Sequence, residues 1–556
     1  MIMINRIQHK KLFGFLSIVF FLSGISLTIL LSLRPIPVIY YAVEFVLCSL
    51  IWGYIAFRYR IIDKALERCT QTDLILSVVL AVAFIPTHYQ SLQQLIDIFF
   101  ERDIHVPATI EPYLTFFLSN KILILTPVLA FAAISLCFIF IYVSGRIRSK
   151  IIGFFKGLLK YEKIFLITGC VLFAVTTVIL YNQTNVFYQP EREDTGVIYW
   201  DIIYTTAPGV SVERNCYANP AAPENDIRQP FFGIFAMPFG LSAKLVSFLI
   251  PASHTFPICM NILQIMLLFI SIVLLSRMLD VGKPTKIFFL LFAVVAFPFL
   301  LFAFNMEQYV FALFWTILLV YHSFVTKKTS EVLSVAAFGS ISTSVILIPI
   351  LWIINKEFRS MIQKGWRIIR LSLGLFICGG LMEIVYKTSL LIATYVGFLS
   401  DYGYIDKFRQ FTHFIVSCIM APCSRIINYS GHIAYHLCAP ETVNILGMTI
   451  LGITVLSGFL FRRRFIAKIS LCWVGFAVSL IAILGWGTAE NGTVLYSLYI
   501  YWAFIVLLTL LIDKLLSKTA ILKYTLFGIL LVALCIYNIM GMLEVIRFGI
   551  KYYPVL

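Results

Sequence analysis

Long apolar runs, separated by clusters of Lys and Arg, constrain this chain more than any other feature. A run of roughly 20 apolar residues is long enough to cross a bilayer as a helix, and a helix satisfies its own backbone there. Such runs stand at 11–33, 37–57, 120–144, 164–182, 256–276, 309–325, 371–394, 443–461, 467–486, 494–512 and 523–541. Spanning strands would instead show short alternating segments. With 60% hydrophobic residues, 13% charged residues and 50 Phe among 556 positions, an ordinary soluble domain is excluded. The expected fold is all-α: a polytopic membrane protein of about 13 transmembrane helices, with membrane-parallel helices in its first large outer loop.

The net charge of +16 does not point to nucleic acid. The basic residues sit at the ends of the apolar runs, where the positive-inside rule places them. Clusters at 58–68, 146–163, 277–286, 327–328, 356–370, 462–468 and 514–523 can all be cytoplasmic under one alternating arrangement. The amino terminus is then inside and the carboxyl terminus outside. The first run lacks a small-residue cleavage site and is read as a retained helix. Two segments must not cross fully for this to hold. Residues 230–250 carry Pro230, Pro238 and Gly240, expected to break the run, and are read as a helix at the outer surface or dipping in and returning. Residues 331–355 carry GSISTS at 339–344 and are read as two half-helices returning to the cytoplasmic side, which is tolerated where the backbone is buried in protein.

Three sizeable loops then face outward, at 91–119, 183–229 and 395–442, with short turns at Asn305–Glu307 and Trp486–Gly492. Loop 183–229 gathers seven of the 27 acids: Glu191, Glu193, Asp194, Asp201, Glu213, Glu224 and Asp226. Three arginines accompany them, Arg192, Arg214 and Arg228. Asp194 follows the end of a span by about 12 residues, which keeps it near the membrane surface. As a helix cap it would be structural; as a carboxylate at headgroup level it can take a proton from an acceptor hydroxyl. Asp226 and Arg228 precede Gln229-Pro230 and the apolar segment, a setting for a lipid phosphate on Arg228 or for a plain ion pair.

These features together resemble the GT-C superfamily of membrane glycosyltransferases, which includes protein O-mannosyltransferases and aminoarabinose transferases of lipid A. An outward span is followed by the acidic pair Glu193-Asp194, then Gln229-Pro230-Phe231-Phe232 where those enzymes often read His-Pro-Pro-Leu, then a span ending in basic residues. Glu307-Gln308 occupies a turn that is often polar in the superfamily, and 331–355 matches its paired short helices. Segment 485–505 resembles uncharacterised bacterial multi-pass proteins of this type. The resemblance covers roughly 164–370. It departs from the usual pattern in having four spans before the acidic loop and no large carboxyl-terminal soluble domain.

The resemblance implies a transferase that moves a sugar from a polyprenyl-phosphate donor to a glycan, cell-wall polymer or lipid acceptor at the outer face. It implies catalytic roles for Asp194, Glu193 and Asp226, and donor-phosphate binding by Arg228, Arg214 and Arg192. Sugar or acceptor contacts fall to Glu307, Gln308, Trp486, Glu490 and Asn491, though the last three also read as a polar turn beside an interfacial aromatic. No cofactor is expected. The organisation is 1–163, amino-terminal helices; 164–370, the GT-C-like core with loop 183–229; and 371–556, carboxyl-terminal helices with loop 395–442. That last loop holds Arg409, His413, Arg425, His432 and His436, and keeps open a polymerase or ligase relying on Arg and His. His432 and His436 are spaced to form a metal pair on a helix, but no third ligand is evident. Cys418, Cys423 and Cys438 share the loop, and a disulfide among them is open. A transporter or flippase is the third reading; it would place its ionisable groups at mid-membrane on paired repeats, and no repeat is evident.

Overall fold

The computed structural model describes residues 148–187, 232–378 apart from 253 and 307, 403–422, 425–429, 432–436, 441–485 and 493–555, with scattered positions between 14 and 141. The fold is helical. Among the described residues, seven helices are long and apolar enough to cross a membrane, and one bent pair raises this to eight. The elements that matter here are α1 (Lys160–Tyr181), α2 (Phe232–Leu249), α3 (Thr255–Met278), α4 (Lys283–Val295), α5 (Phe297–Phe304) and α6 (Tyr309–Thr326). They continue with α7 (Glu331–Ser340), α8 (Leu347–Ile354), α9 (Met361–Cys378), α10 (Tyr404–Ser417), α11 (Glu441–Leu460), α12 (Phe465–Ala477), α13 (Leu498–Leu515) and α14 (Ala520–Tyr552). Far upstream, Phe15, Ile18, Ala56, Ile62 and Phe138 cluster, which brings the first three expected spans together.

Polar contacts at the helix ends fix which ends lie together. At one end Arg277 grips the buried Glu162 through Nε (3.0 Å) and Nη2 (2.6 Å) and also donates to the Gly157 carbonyl. Glu162 in turn accepts the Leu159 N–H and so caps the first turn of α1. Arg464 donates to the Asp280 carbonyl, joining the start of α12 to the end of α3. Asp513 accepts from Thr285 (2.7 Å) and Lys523 (3.1 Å), joining the start of α4, the end of α13 and the start of α14. At the opposite end Thr177 donates to Asn261 (2.7 Å), and Tyr181 and Asn261 both donate to the Phe304 carbonyl. Asn185 donates to the Tyr553 carbonyl there. The helices therefore alternate in direction as their charge pattern demands, with the Lys and Arg clusters gathered at one end, the basic end.

The segment 331–355 is interrupted where the sequence indicates. α7 stops at Ser340, Ile341 is extended, and a 3-10 turn at Ser342–Ile346 leads into α8. Its two feet stand side by side at the basic end. Glu357, just past α8, accepts from the N–H (3.0 Å) and hydroxyl (2.7 Å) of Thr329, just before α7. Lys364 pairs with Glu357 and donates to the Thr329 carbonyl. Burial alone would raise the pKa of Glu357, but Lys364 and the two Thr329 donors outweigh it and hold the carboxyl below its usual range. The segment enters and leaves at one end.

Residues 230–250 require a correction. α2 runs unbroken through Pro238 and Gly240. A proline removes one backbone hydrogen bond, and close neighbours can compensate. Here Phe232 and Phe239 pack on Phe311, and Phe235 packs on Trp315, of α6. The start of α2 thus lies on the first turns of α6, and its end lies a short link from the start of α3. Both ends therefore lie near helix ends on the side away from the basic clusters.

A second interruption bends α4 against α5 by 57°. The backbone freed at the bend is satisfied from afar. Phe297 donates to the Ile419 carbonyl, and Asn538 of α14 donates to the carbonyls of Val295 (2.7 Å) and Ile419 (2.8 Å) while accepting the Ala421 N–H (2.7 Å). Loop 395–442 is therefore not wholly superficial. It also contains an antiparallel hairpin, β1 (Arg425–Tyr429) with β2 (His432–His436). His432 and His436 thus stand on a strand, where four residues span about 13 Å, so the metal pair on a helix does not form. Cys418 is buried with a free thiol, while Cys423 and Cys438 lie outside the described residues.

Two outcomes are expected in detergent. Glu162→Leu, which strands Arg277, lowers stability by about 3–5 kcal/mol, whereas adding Arg277→Met restores much of the loss in thermal unfolding. Asn538→Leu strands three backbone groups at about 1–3 kcal/mol each, so its unfolding midpoint falls further than that of the single-bond variant Asn355→Leu.

Candidate functional site

The end opposite the basic clusters carries a layer of buried polar and aromatic side chains. Its centre is the Phe304 carbonyl, where α5 stops and receives Tyr181 and Asn261. The following turn is covered, with Asn305, Met306, Gln308 and Tyr309 all buried. Tyr309 stacks on Tyr499 (5.8 Å between ring centres) and meets Tyr496 edge-on (6.0 Å). Trp473 and Trp502 both donate to the Tyr499 carbonyl and so lock the start of α13. These groups are neutral and held in place by ring packing and short hydrogen bonds.

The acidic loop leaves and rejoins the bundle at this layer. Past α1, Thr184 donates to the Tyr553 carbonyl (2.9 Å) and pairs with Pro554 in an antiparallel bridge. Gly549 permits this approach, since a Cβ there would sit 2.6 Å from a Val186 methyl. Phe187 is then buried against Phe304 (6.3 Å). At the far end of the loop the buried Phe232 meets Phe311 (5.6 Å). The two stems therefore straddle the turn between α5 and α6. Glu193 and Asp194 follow the first stem by six and seven residues, and Asp226 and Arg228 precede the second by six and four.

Of the site residues expected from sequence, Gln308 lies in the turn itself, buried at the start of α6. Arg192, Glu193, Asp194, Arg214, Asp226, Arg228, Glu307, Trp486, Glu490 and Asn491 lie outside the described residues. In loop 395–442, α10 lies across the first turns of α11: Thr412 donates to Asn444 (2.6 Å), and a Cβ on Gly447 would collide with the Thr412 carbonyl. His413 does not face solvent. It is buried, burial pushes its pKa down, and its imidazole is neutral near pH 7. It brings no positive charge to a phosphate.

Sequence reading missed Tyr181 and Asn261. Their signal was present in part, because Asn261 and Gln264 stand one turn apart on one face of an otherwise apolar run. Among the described residues no group of three or more His, Cys, Asp or Glu is placed to hold a metal ion. Compared with family models, curated proteins and solved structures, the chain matches none.

Proposed function

We propose that this protein is a membrane glycosyltransferase of GT-C type, moving a sugar from a polyprenyl-phosphate donor to an acceptor at the outer membrane face. The observation that carries the reading is the anchoring of both stems of the acidic loop on either side of the α5–α6 turn. In this reading the loop's acids and arginines act beside the neutral, aromatic layer that its stems join. The basic end is cytoplasmic in this reading, which sets the floor and the loop outside. The same-end feet of 331–355 and the two ends of α2 support that arrangement, because neither segment reverses the alternation.

In the proposed step Asp194 takes the proton of an acceptor hydroxyl as its oxygen bonds the anomeric carbon. The bond from that carbon to the phosphate oxygen breaks, and polyprenyl phosphate leaves carrying the negative charge. A leaving group that is already anionic needs cations more than protons, and Arg228, Arg214 and Arg192 supply them.

A transporter is the second reading, favoured by the two interrupted helices, since transporters bind substrates at such breaks. The two readings part in a reconstituted assay. With polyprenyl-phosphate sugars in proteoliposomes, transfer releases polyprenyl phosphate, whereas transport leaves the donor intact. Asp194→Asn is expected to fold and bind donor while losing about 10²–10⁴ in rate. If Glu193→Gln or Asp226→Asn abolishes release and Asp194→Asn does not, the base is reassigned; full activity in all three removes the transferase reading.

Sidedness is checked separately. A Cys at position 205, in a background lacking other accessible thiols, is expected to react with an impermeant reagent in intact cells. Protection there, together with labelling at 150–160, inverts the topology.

A further inference from the structure

The uncovered side of α14 changes character near its end. Ile529, Val532, Ile536, Met540 and Leu543 are all exposed, at spacings of three or four residues, and so form one stripe along the helix. Such a stripe on a helix that can cross a membrane faces lipid. Arg547 and Lys551 continue it at the same spacing and are exposed as well. The buried residues of this stretch, Asn538, Met542, Val545 and Gly549, lie on the other side of the helix.

Depth follows from the helix rise. Lys523 marks the basic end of α14 through its pair with Asp513. The next twenty residues, 524–543, carry no charge, which is the length that crosses a hydrocarbon core. Arg547 stands 24 residues beyond Lys523, about 36 Å along the axis, and therefore at the headgroup level of the opposite leaflet. Phe548, Tyr552 and Tyr553 cluster there (4.6 and 6.3 Å between ring centres), as aromatics do at an interface. Lys551 Nζ lies 4.9 Å from the centre of the Tyr552 ring. Arg547 and Lys551 are one turn apart, about 6 Å between their Cβ atoms. Among the described residues no carboxylate pairs with either, and Glu544, a turn below Arg547, is exposed and also unpaired.

We propose that this end of α14 binds an anionic glycerophospholipid of the bilayer, its phosphate between Arg547 and Lys551 and its acyl chains along Leu543, Met540 and Ile536. Two cations one turn apart suit a single phosphate, and the apolar stripe runs on directly below them, so head and chains are met by one surface. The first stem of the acidic loop touches the helix at Gly549, on the opposite side. The bound phosphate is thus kept apart from that stem, which fits a lipid that stays in place and not a phosphate undergoing transfer. The inference is independent of the transferase reading. A lipid held there steadies the last turns of α14, where the Tyr553 carbonyl receives Thr184 and Asn185 of that stem.

The test places a fluorophore on Leu543→Cys in the full chain, in a background lacking other accessible thiols, reconstituted in phosphatidylcholine. Lipids with brominated chains quench the probe only where they touch it. Brominated phosphatidylglycerol is expected to bind there about tenfold or more tightly than brominated phosphatidylcholine, since each cation near a membrane surface is worth about fivefold. Arg547→Gln and Lys551→Gln are each expected to cut that preference about fivefold. Both leave unchanged the quenching of a probe on Ile529→Cys, which reads the other leaflet. Equal quenching by the two lipids in the otherwise wild-type chain overturns the inference, and so does a preference retained when both cations are replaced. A thermal midpoint lowered by either variant in phosphatidylcholine alone also overturns it, because the cations then serve the carboxyl end of the helix itself. Displacement of the brominated lipid by trace polyprenyl phosphate overturns it in favour of the lipid-phosphate donor as occupant.

Discussion

Backbone that is not helical cannot be left unpaired inside an apolar bundle, and much of this structure is arranged around that requirement. The carboxamide of Asn538 is the plainest instance. One side chain, from the long terminal helix, binds the carbonyls of Val295 and Ile419 and the N–H of Ala421. It thereby allows α4 and α5 to bend and loop 395–442 to reach into the bundle at the same place. An amide has two donors and one carbonyl acceptor, and here all three functions are engaged. A hydroxyl or carboxylate at 538 would serve only part of the junction.

The re-entrant segment meets the same requirement differently. Its feet are closed by charge and hydrogen bonds, with Glu357, Thr329 and Lys364 forming one cluster. α6 and α8 both end at lysines in left-handed backbone, Lys327 (φ 55°) and Lys356 (φ 58°), and these sharp stops bring the feet together. The apex is closed by packing and leaves its hydroxyls without protein partners. The base is thus held by charge and hydrogen bonds, and the apex by close packing, with Ser340 and Ser344 fully buried.

Helix positions were legible because lipid burial depends on transfer free energy, which is written residue by residue. The expected runs 164–182, 256–276, 309–325 and 443–461 correspond to Lys160–Tyr181, Thr255–Met278, Tyr309–Thr326 and Glu441–Leu460. The alternation of ends was legible through Lys and Arg, and the interruption at 339–344 through its small polar residues. Features that depend on distant partners were not. Pro238 reads as a break in one dimension, and only the packing on Phe311 and Trp315 carries the helix through it. The spacing of His432 and His436 is the same on a helix or a strand, and pairing with Arg425–Tyr429 decides between them. Asn538 looks like one polar residue in an apolar run until the broken backbone it serves is in view. For the site, the acids stood out by charge, but the neutral floor did not, because Tyr181, Asn261 and Tyr309 read as ordinary members of apolar spans.

The contrast between loop and floor bears on what the end opposite the basic clusters can do. A base and its phosphate-binding cations must be positioned closely to contribute to catalysis, and a long loop alone does not provide that. Here Phe187 and Phe232 tie the two ends of the acidic loop to neighbouring helices, and Glu193, Asp194, Asp226 and Arg228 all stand within seven residues of a stem. Closing a loop at both ends restricts its stem-proximal residues more than its middle. In sequence, Arg214 as well as Asp201 and Glu213 stands nearer the middle of the loop.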